Sequence, residues 1–277
     1  MDAASLQITV ANISNTIPDS QLQAVIVALS EQLVQDFQPE WGGSSSVVGT
    51  TTPMSALPAL DSQTQAVIYL GSSTDDPTTG VEPALGYHFD NQTGVPYGFV
   101  YLDVVALNGG NWSVTLSHEV LELLGDPSSQ QTVTGGPSVP GVPDPVQYDF
   151  ELCDPVQADS YAKSNGTQVS NFVGRAYFNQ PGGSGRTNFL GNPLLAFGVR
   201  PKSYLQYELP DRGVPIWGPD AQRTLLDTKV LKMLGQSRLS RHCRHRKPTA
   251  QLPLAGATPS NRGEAGPSTP SDPSKFS

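Results

Sequence analysis

The stretch LSHEVLELLGDP, residues 116–127, determines how the rest of the chain is interpreted. Placed on a helical wheel of about 100° per residue, the apolar residues of the segment 112–124 fall on one broad face, which predicts a helix packed against a core. Gly125 and Pro127 predict that this helix ends just beyond that segment. The remaining narrow arc carries the polar residues Thr115, His118, Glu119 and Glu122.

This polar arc predicts a cation site. His118 and Glu122 are four residues apart, so their side chains project from adjacent turns in the same direction. Glu119 and Glu122 are like charges at a spacing of three, which is mildly repulsive unless a cation compensates for it. The alternative is an ordinary amphipathic helix whose polar side faces water.

Further carboxylates follow in YDFELCDPVQADSY, residues 148–161, after a stretch at 127–147 that lacks periodicity and predicts a long loop. A catalytic divalent site uses three protein side chains and an open position for water. His118, Glu122 and either Glu151 or Asp154 provide that number of ligands. Glu119 would then act as general base on the metal-activated water.

Alternating and continuous apolar runs predict an α+β domain around this helix. A helix is predicted from Pro18 to about Phe37, and Pro96 and Gly98 favour an edge position for the fourth strand. A last helix is predicted at 220–234. The predicted strands are SLQITVANI (5–13), SSVVGTT (45–51), QAVIYLGSS (65–73) and GVPYGFVYLDVV (94–105), followed by shorter apolar stretches at 169–178 and 204–209.

Charge is unevenly distributed along the chain. Residues 1–162 contain 19 Asp and Glu and no Lys or Arg, which argues against nucleic acid as a partner of the folded body and is compatible with a divalent ion. A merely solvated acidic surface is the alternative. Residues 236–277 contain few apolar residues and carry a net charge of +5, so they are predicted to form a disordered tail whose partner stays open.

The remaining sequence signals are mostly negative. The two cysteines predict no disulfide framework. The first residues lack the charged and apolar regions of a signal peptide, and no apolar run is long enough for a membrane span, so we expect a cytoplasmic protein without a membrane partner. His88, between aromatic residues in GYHFD, is interpreted as a packing residue outside the site.

The motifs SHEVLELLGDP, ELCDPVQADSY and VSNFVGRAYF together resemble a group of mostly uncharacterised bacterial and phage proteins with the zincin metallopeptidase fold. The resemblance covers roughly residues 5–210. It implies a zincin-like domain over residues 1–235, in which His118 is the first ligand, Glu119 is the catalytic base and Glu122 occupies the position of the usual second histidine. Glu151 would be the third ligand and Asp154 would orient His118, and the inverse assignment stays open.

The resemblance also implies a function. It predicts a peptidase that uses a divalent metal, zinc first, and acts on a peptide or protein substrate. The set of one nitrogen and two oxygen ligands makes Mn²⁺, Fe²⁺ or Ca²⁺ alternatives. The predicted edge strand would pair with that substrate through Gly98, Phe99, Val100 and Tyr101. Tyr161 is a candidate catalytic donor to the oxyanion, as is Tyr204. The rival hypothesis is a catalytically inactive binding or structural protein, such as a virion component.

Overall fold

The computed structural model describes residues 1–53, 57, 59–76, 84–91, 93–210 and 213–220. The predicted last helix beyond Asp220 and the predicted disordered tail at 236–277 lie outside the described residues. The helices are α1 (Asp19–Gln32), a π-helical turn (Leu33–Phe37), α2 (Gln38–Trp41), α3 (Leu102–Leu107) and α4 (Trp112–Gly125), with 3₁₀ turns at Asp154–Val156 and Arg175–Phe178. The strands are β1 (Gln7–Asn12), β2 (Ser46–Thr50), β3 (Gln65–Gly71), β4 (Gly86–Asp90), β5 (Pro96–Tyr101), β6 (Thr132–Thr134), β7 (Gln147–Asp149), β8 (Ser160–Ala162), β9 (Gln168–Ser170), β10 (Tyr204–Glu208) and β11 (Gly213–Trp217).

The main sheet has five strands in the order β2-β1-β3-β5-β4. The first four in this order are parallel, and β4 is antiparallel to β5. Strands β3 and β5 are almost entirely buried, as expected of strands covered on both faces. The predicted α+β class with a mixed sheet is therefore confirmed.

The prediction that the strand with Pro96 and Gly98 forms an edge is wrong. Strand β5 lies between β3 and β4, and the short β4, which was not predicted, occupies the edge. Gly98 is opposite His88, where an added Cβ would lie 2.7 Å from the carbonyl oxygen of Tyr87, so the glycine permits a close approach of two strands rather than marking an edge. The backbone of Gly98, Phe99, Val100 and Tyr101 is thus occupied on both sides and is not open to a peptide.

Helix α4 confirms the predicted helix at 112–124. Its N-terminus is capped by Asn111, whose side chain accepts a hydrogen bond from the backbone of Ser113, and its apolar face joins the main core beside the sheet. Its polar arc does not face water, because Glu119 is only 6% exposed and Glu122 only 4%. Strand β4 packs on one side of this arc, and the chain around Cys153 covers another.

A second, antiparallel sheet follows in the order β11-β10-β7-β6, and β8 and β9 form a separate hairpin. The long loop predicted at 127–147 contains β6, which pairs with β7 and brings the following carboxylate segment back to α4. The strand predicted at 204–209 is confirmed as β10. In the described parts of the chain, no helix combines the length and the apolar character that a membrane crossing requires.

Candidate metal centre

Three of the predicted site residues are in contact: the carboxylates of Glu122 and Asp154 converge on one ring nitrogen of His118. Nε2 of His118 lies 3.0 Å from Oε2 of Glu122, one helical turn further on. The same nitrogen lies 3.2 Å from Oδ1 of Asp154, at the start of the 3₁₀ turn. Of the two downstream carboxylates proposed from the sequence, Asp154 is therefore the one in contact with His118, while Glu151 lines the same cavity.

Glu122 uses its two carboxylate oxygens differently. Oε1 accepts hydrogen bonds from the backbone N–H groups of Cys153, at 3.0 Å, and Asp154, at 3.2 Å. Oε2 faces His118. One carboxylate thus ties helix α4 to the 150–156 segment and also contributes an oxygen to the site, which an imidazole could not do because it has a single acceptor nitrogen.

Glu119 lies on the β4 side of the helix. Its Oε2 is 3.4 Å from Nδ1 of His88, a buried residue that the sequence interpretation left outside the site. The alternation in GYHFD is the sequence signal that could have placed His88 at the site. Tyr87 and Phe89 join an aromatic cluster on one face of the strand, whereas Gly86 and His88 lie on the other face, beside Glu119.

The cavity at this site is rich in carboxylates. Two imidazoles line it, from His88 and His118, and no lysine or arginine does so within the described part of the chain. Five carboxylates line it as well, all at least nine-tenths buried: Glu119, Glu122, Asp149, Glu151 and Asp154. Buried anions in such excess require protons or a cation to offset their repulsion.

The pKa shifts follow from this crowding. Burial alone would lower the pKa of His118, but the neighbouring carboxylates of Glu122 and Asp154 outweigh it and raise that pKa well above its usual 6.5. Burial and the charge of Glu122 raise the pKa of Asp154 to about 6, against hydrogen bonds from His118 and the Tyr204 hydroxyl. Burial alone would raise the pKa of Glu122, but the charge and hydrogen bond of His118, the charge of His88 and the backbone N–H of Cys153 together outweigh it and lower that pKa. In the metal-free protein, protons bound to His118 and Asp154 therefore offset the negative charge that a cation would otherwise offset.

Tyr161, which was predicted to be a catalytic donor, lies away from the cavity. Its hydroxyl donates to Oδ2 of Asp36, at 2.7 Å, and accepts from Nε2 of Gln32, at 3.1 Å. These partners lie on α1 and the following π-helical turn, because the β8–β9 hairpin packs there, so Tyr161 does not line the cavity. Tyr204, on β10, lines it instead.

Known proteins give no guide to this site. No family model, no curated protein and no solved structure matches the chain. The resemblance to the zincins therefore stays a prediction.

Two groups of donor atoms lie close enough together that each could hold a metal ion. Potential ligand atoms of His118, Glu122 and Cys153 lie within 4.8 Å of one another, and so do those of His88, Glu119 and Glu122. Nitrogen, carboxylate oxygen and thiol sulfur are the donors that first-row divalent cations take in proteins. Burial and the nearby carboxylates raise the pKa of the Cys153 thiol, so sulfur becomes a ligand only if a metal displaces its proton.

Proposed function

We propose that this protein is a metal-dependent peptidase that holds a divalent cation through His118, Glu122 and Asp154. The observation that carries the proposal is the convergence of both carboxylates on Nε2 of His118, at 3.0 and 3.2 Å. Zinc or manganese suits such a set of one nitrogen and two oxygens. Glu151 lines the same cavity and is the alternative third ligand.

Glu119 is the proposed general base. It neighbours His118 on the helix, lies in the same cavity and is 6% exposed, so it faces the reaction site with little competition from bulk solvent. When bound, the cation supplies Lewis-acid polarisation of the scissile carbonyl and of the attacking water. The Glu119 carboxylate accepts the proton of that water and later delivers it to the leaving amine.

Tyr204 is the proposed polar partner in place of Tyr161. Its hydroxyl donates a hydrogen bond to Asp154. This bond restrains the orientation of a ligand carboxylate, which is the usual contribution of groups behind a metal ligand.

The proposed substrate is an extended peptide segment. Strand β4 is the last strand in the order of the five-stranded sheet, and four of its residues, Gly86, Tyr87, His88 and Phe89, line the cavity. An edge strand can bind a peptide by main-chain hydrogen bonds, which would place a scissile bond near Glu119. The proposed peptide-pairing strand is thus β4 and not the predicted segment Gly98–Tyr101 of β5.

One observation favours a second candidate, a catalytically inactive binding or structural protein. Oε1 of Glu122 accepts two backbone hydrogen bonds from the Cys153–Asp154 segment, so the carboxylate has a structural role whether or not catalysis occurs. In such a protein a cation at His118 would only fix this segment against α4. The two candidates differ at Glu119, because a structural site has no need of a base.

Glu119→Gln tests the choice. Wild type and variant are incubated with a library of unstructured peptides at matched metal content, and cleavage is followed by mass spectrometry. A peptidase should cleave, and the variant should lose about 10²- to 10⁴-fold in rate, as expected when a general base is removed. Metal-loaded wild type that cleaves nothing, or a variant that cleaves equally well, would contradict the peptidase proposal.

A further inference from the structure

The polar arc of α4 faces two different groups of ligands. His118 and Glu122 contact Asp154 on one side, whereas Glu119 approaches strand β4 on the other. Potential ligand atoms of His88, Glu119 and Glu122 lie within 4.8 Å of one another, so β4 completes a second cluster that shares only Glu122 with the first.

Within the described part of the chain, the imidazole of His88 has a partner at Nδ1 only. The residue is 4% exposed and lines the cavity, and its Nε2 has no hydrogen-bond partner among the described residues. A neutral imidazole carries one N–H and one lone pair. If Nδ1 carries the proton, it faces Glu119 and leaves the buried Nε2 lone pair unmatched; if Nε2 carries it, the Nδ1 lone pair faces a carboxylate 3.4 Å away. A cation bound by the imidazole and the carboxylates would accept the free lone pair in either tautomer.

The backbone of β4 is shaped around Glu119. A Cβ added at Gly86 would lie 2.7 Å from Oε1 and 3.0 Å from Cγ of Glu119. Gly86 and His88 are two residues apart and share one face of the strand. The strand thus leaves room for the carboxylate at one position and supplies a nitrogen donor beside it at the other.

We propose a second divalent-cation position held by His88, Glu119 and Glu122, with the carboxylate of Glu122 shared between it and the position at His118. The sharing rests on the proposed function, since that function places the first cation at Glu122. Because a carboxylate bound to a cation is a poor proton acceptor, occupation of the second position removes Glu119 from its role as base. Turnover should therefore rise with the first equivalent of metal and fall with the second.

The test is a titration of the metal-free full-length chain with Zn²⁺ against a competing chelator. The sequence RHCRHRK at 241–247 contains three further zinc donors, so every protein compared carries His242→Ala, Cys243→Ser and His245→Ala. The parent should bind two equivalents. His88→Ala should keep the tighter one and bind the second at least about 100-fold more weakly, since loss of groups behind a ligand alone costs 10–100-fold.

His118→Ala is the matched control and should lose the first equivalent while retaining the one at His88. Gly86→Ala should weaken the second equivalent as His88→Ala does, because the added methyl group displaces the Glu119 carboxylate without removing a ligand. Circular dichroism verifies that each variant is folded, and His88→Gln replaces His88→Ala if the latter is not.

The two proposals fail in different ways. A single equivalent that is lost in His118→Ala and unaffected by His88→Ala would overturn the second position and leave the peptidase site standing. Two equivalents that are both insensitive to His88→Ala and Gly86→Ala would also overturn it. Absence of bound zinc in the parent would overturn both.

Discussion

Glu122 contacts His118 through Oε2, at 3.0 Å, while its other oxygen accepts backbone hydrogen bonds from the segment that carries Asp154. Glu122 therefore links helix α4 to the segment that carries Asp154 in addition to contacting His118. A carboxylate at position 122 accepts hydrogen bonds from two buried N–H groups and still contacts His118, whereas a neutral imidazole has a single acceptor nitrogen for all of these contacts. The glutamate therefore has a structural role in addition to its contact with His118.

Glu122→His should therefore destabilise the protein even though it would create the common zinc-binding motif His-Glu-x-x-His. At least one of the two buried N–H groups, of Cys153 and Asp154, would lose its acceptor, at a cost of about 1–3 kcal/mol for each group left without one. Urea denaturation in chelator measures the effect as a lower free energy of unfolding.

Glu122→Gln is the matched control, because its amide oxygen can still accept both hydrogen bonds. It should unfold at a higher urea concentration than Glu122→His and yet bind metal more weakly than wild type, having lost the charge at Oε2. Equal stability of the two variants would contradict the dual role of Glu122.

The metal-free protein should lose stability as pH rises. The raised pKa of Asp154, about 6 instead of 3.8, means that the folded state binds more protons than the unfolded state, so stability falls as pH rises between about 4 and 6. The raised pKa of His118 acts in the same direction: its contribution is complete below 6.5 and is lost as pH rises through the folded value. Glu122 opposes this only in acid, since its lowered pKa gives stability that is lost as pH falls below about 4.5.

Denaturation curves from pH 5 to 9, in chelator and in excess zinc, measure this dependence. Zinc should remove much of the loss at high pH, because the cation replaces the protons and its ligands must be deprotonated to bind it. His118→Asn should flatten the alkaline part of the curve in chelator. Stability of the metal-free wild type that rises steadily from pH 6 to 9 would argue against the charge arrangement described here.

The two tyrosines should respond differently to substitution. Tyr161→Phe removes a hydrogen bond to Asp36, so stability should fall by about 1 kcal/mol with metal affinity unchanged. Tyr204→Phe removes the donor to Asp154 and should weaken metal binding by about 10–100-fold. Chelator competition and urea denaturation on both variants distinguish the two effects, and a metal-binding defect confined to Tyr161→Phe would show that the wrong tyrosine has been assigned.

Local patterns in the sequence predicted much of the fold. The broad apolar face of α4, the alternation in β1 and the continuous apolar run of β3 each follow from periodicity alone. The polar arc of α4 was likewise predicted, and so was the cluster of acidic residues that follows the loop.

Strand pairing could not be predicted, because it depends on contacts between distant segments. Strand β5 is not at the edge because β4 pairs with it. Strand β4 has only five residues, and its single histidine between aromatic residues is typical of a packing residue. Gly98 was mistaken for an edge signal because a glycine that permits close approach looks the same in sequence. Tyr161 and Tyr204 could be told apart only by which hairpin packs on which helix.

The central claim is that His118 and its two carboxylate neighbours hold a metal ion. Elemental mass spectrometry of the purified wild type beside His118→Ala, without added metal, tests it most directly. We predict at least one transition-metal ion per wild-type chain and the loss of one ion per chain in the variant. Equal metal content in the two proteins, or none in either after incubation with zinc, manganese and calcium, would contradict the claim and leave α4 as an acidic helix without a metal.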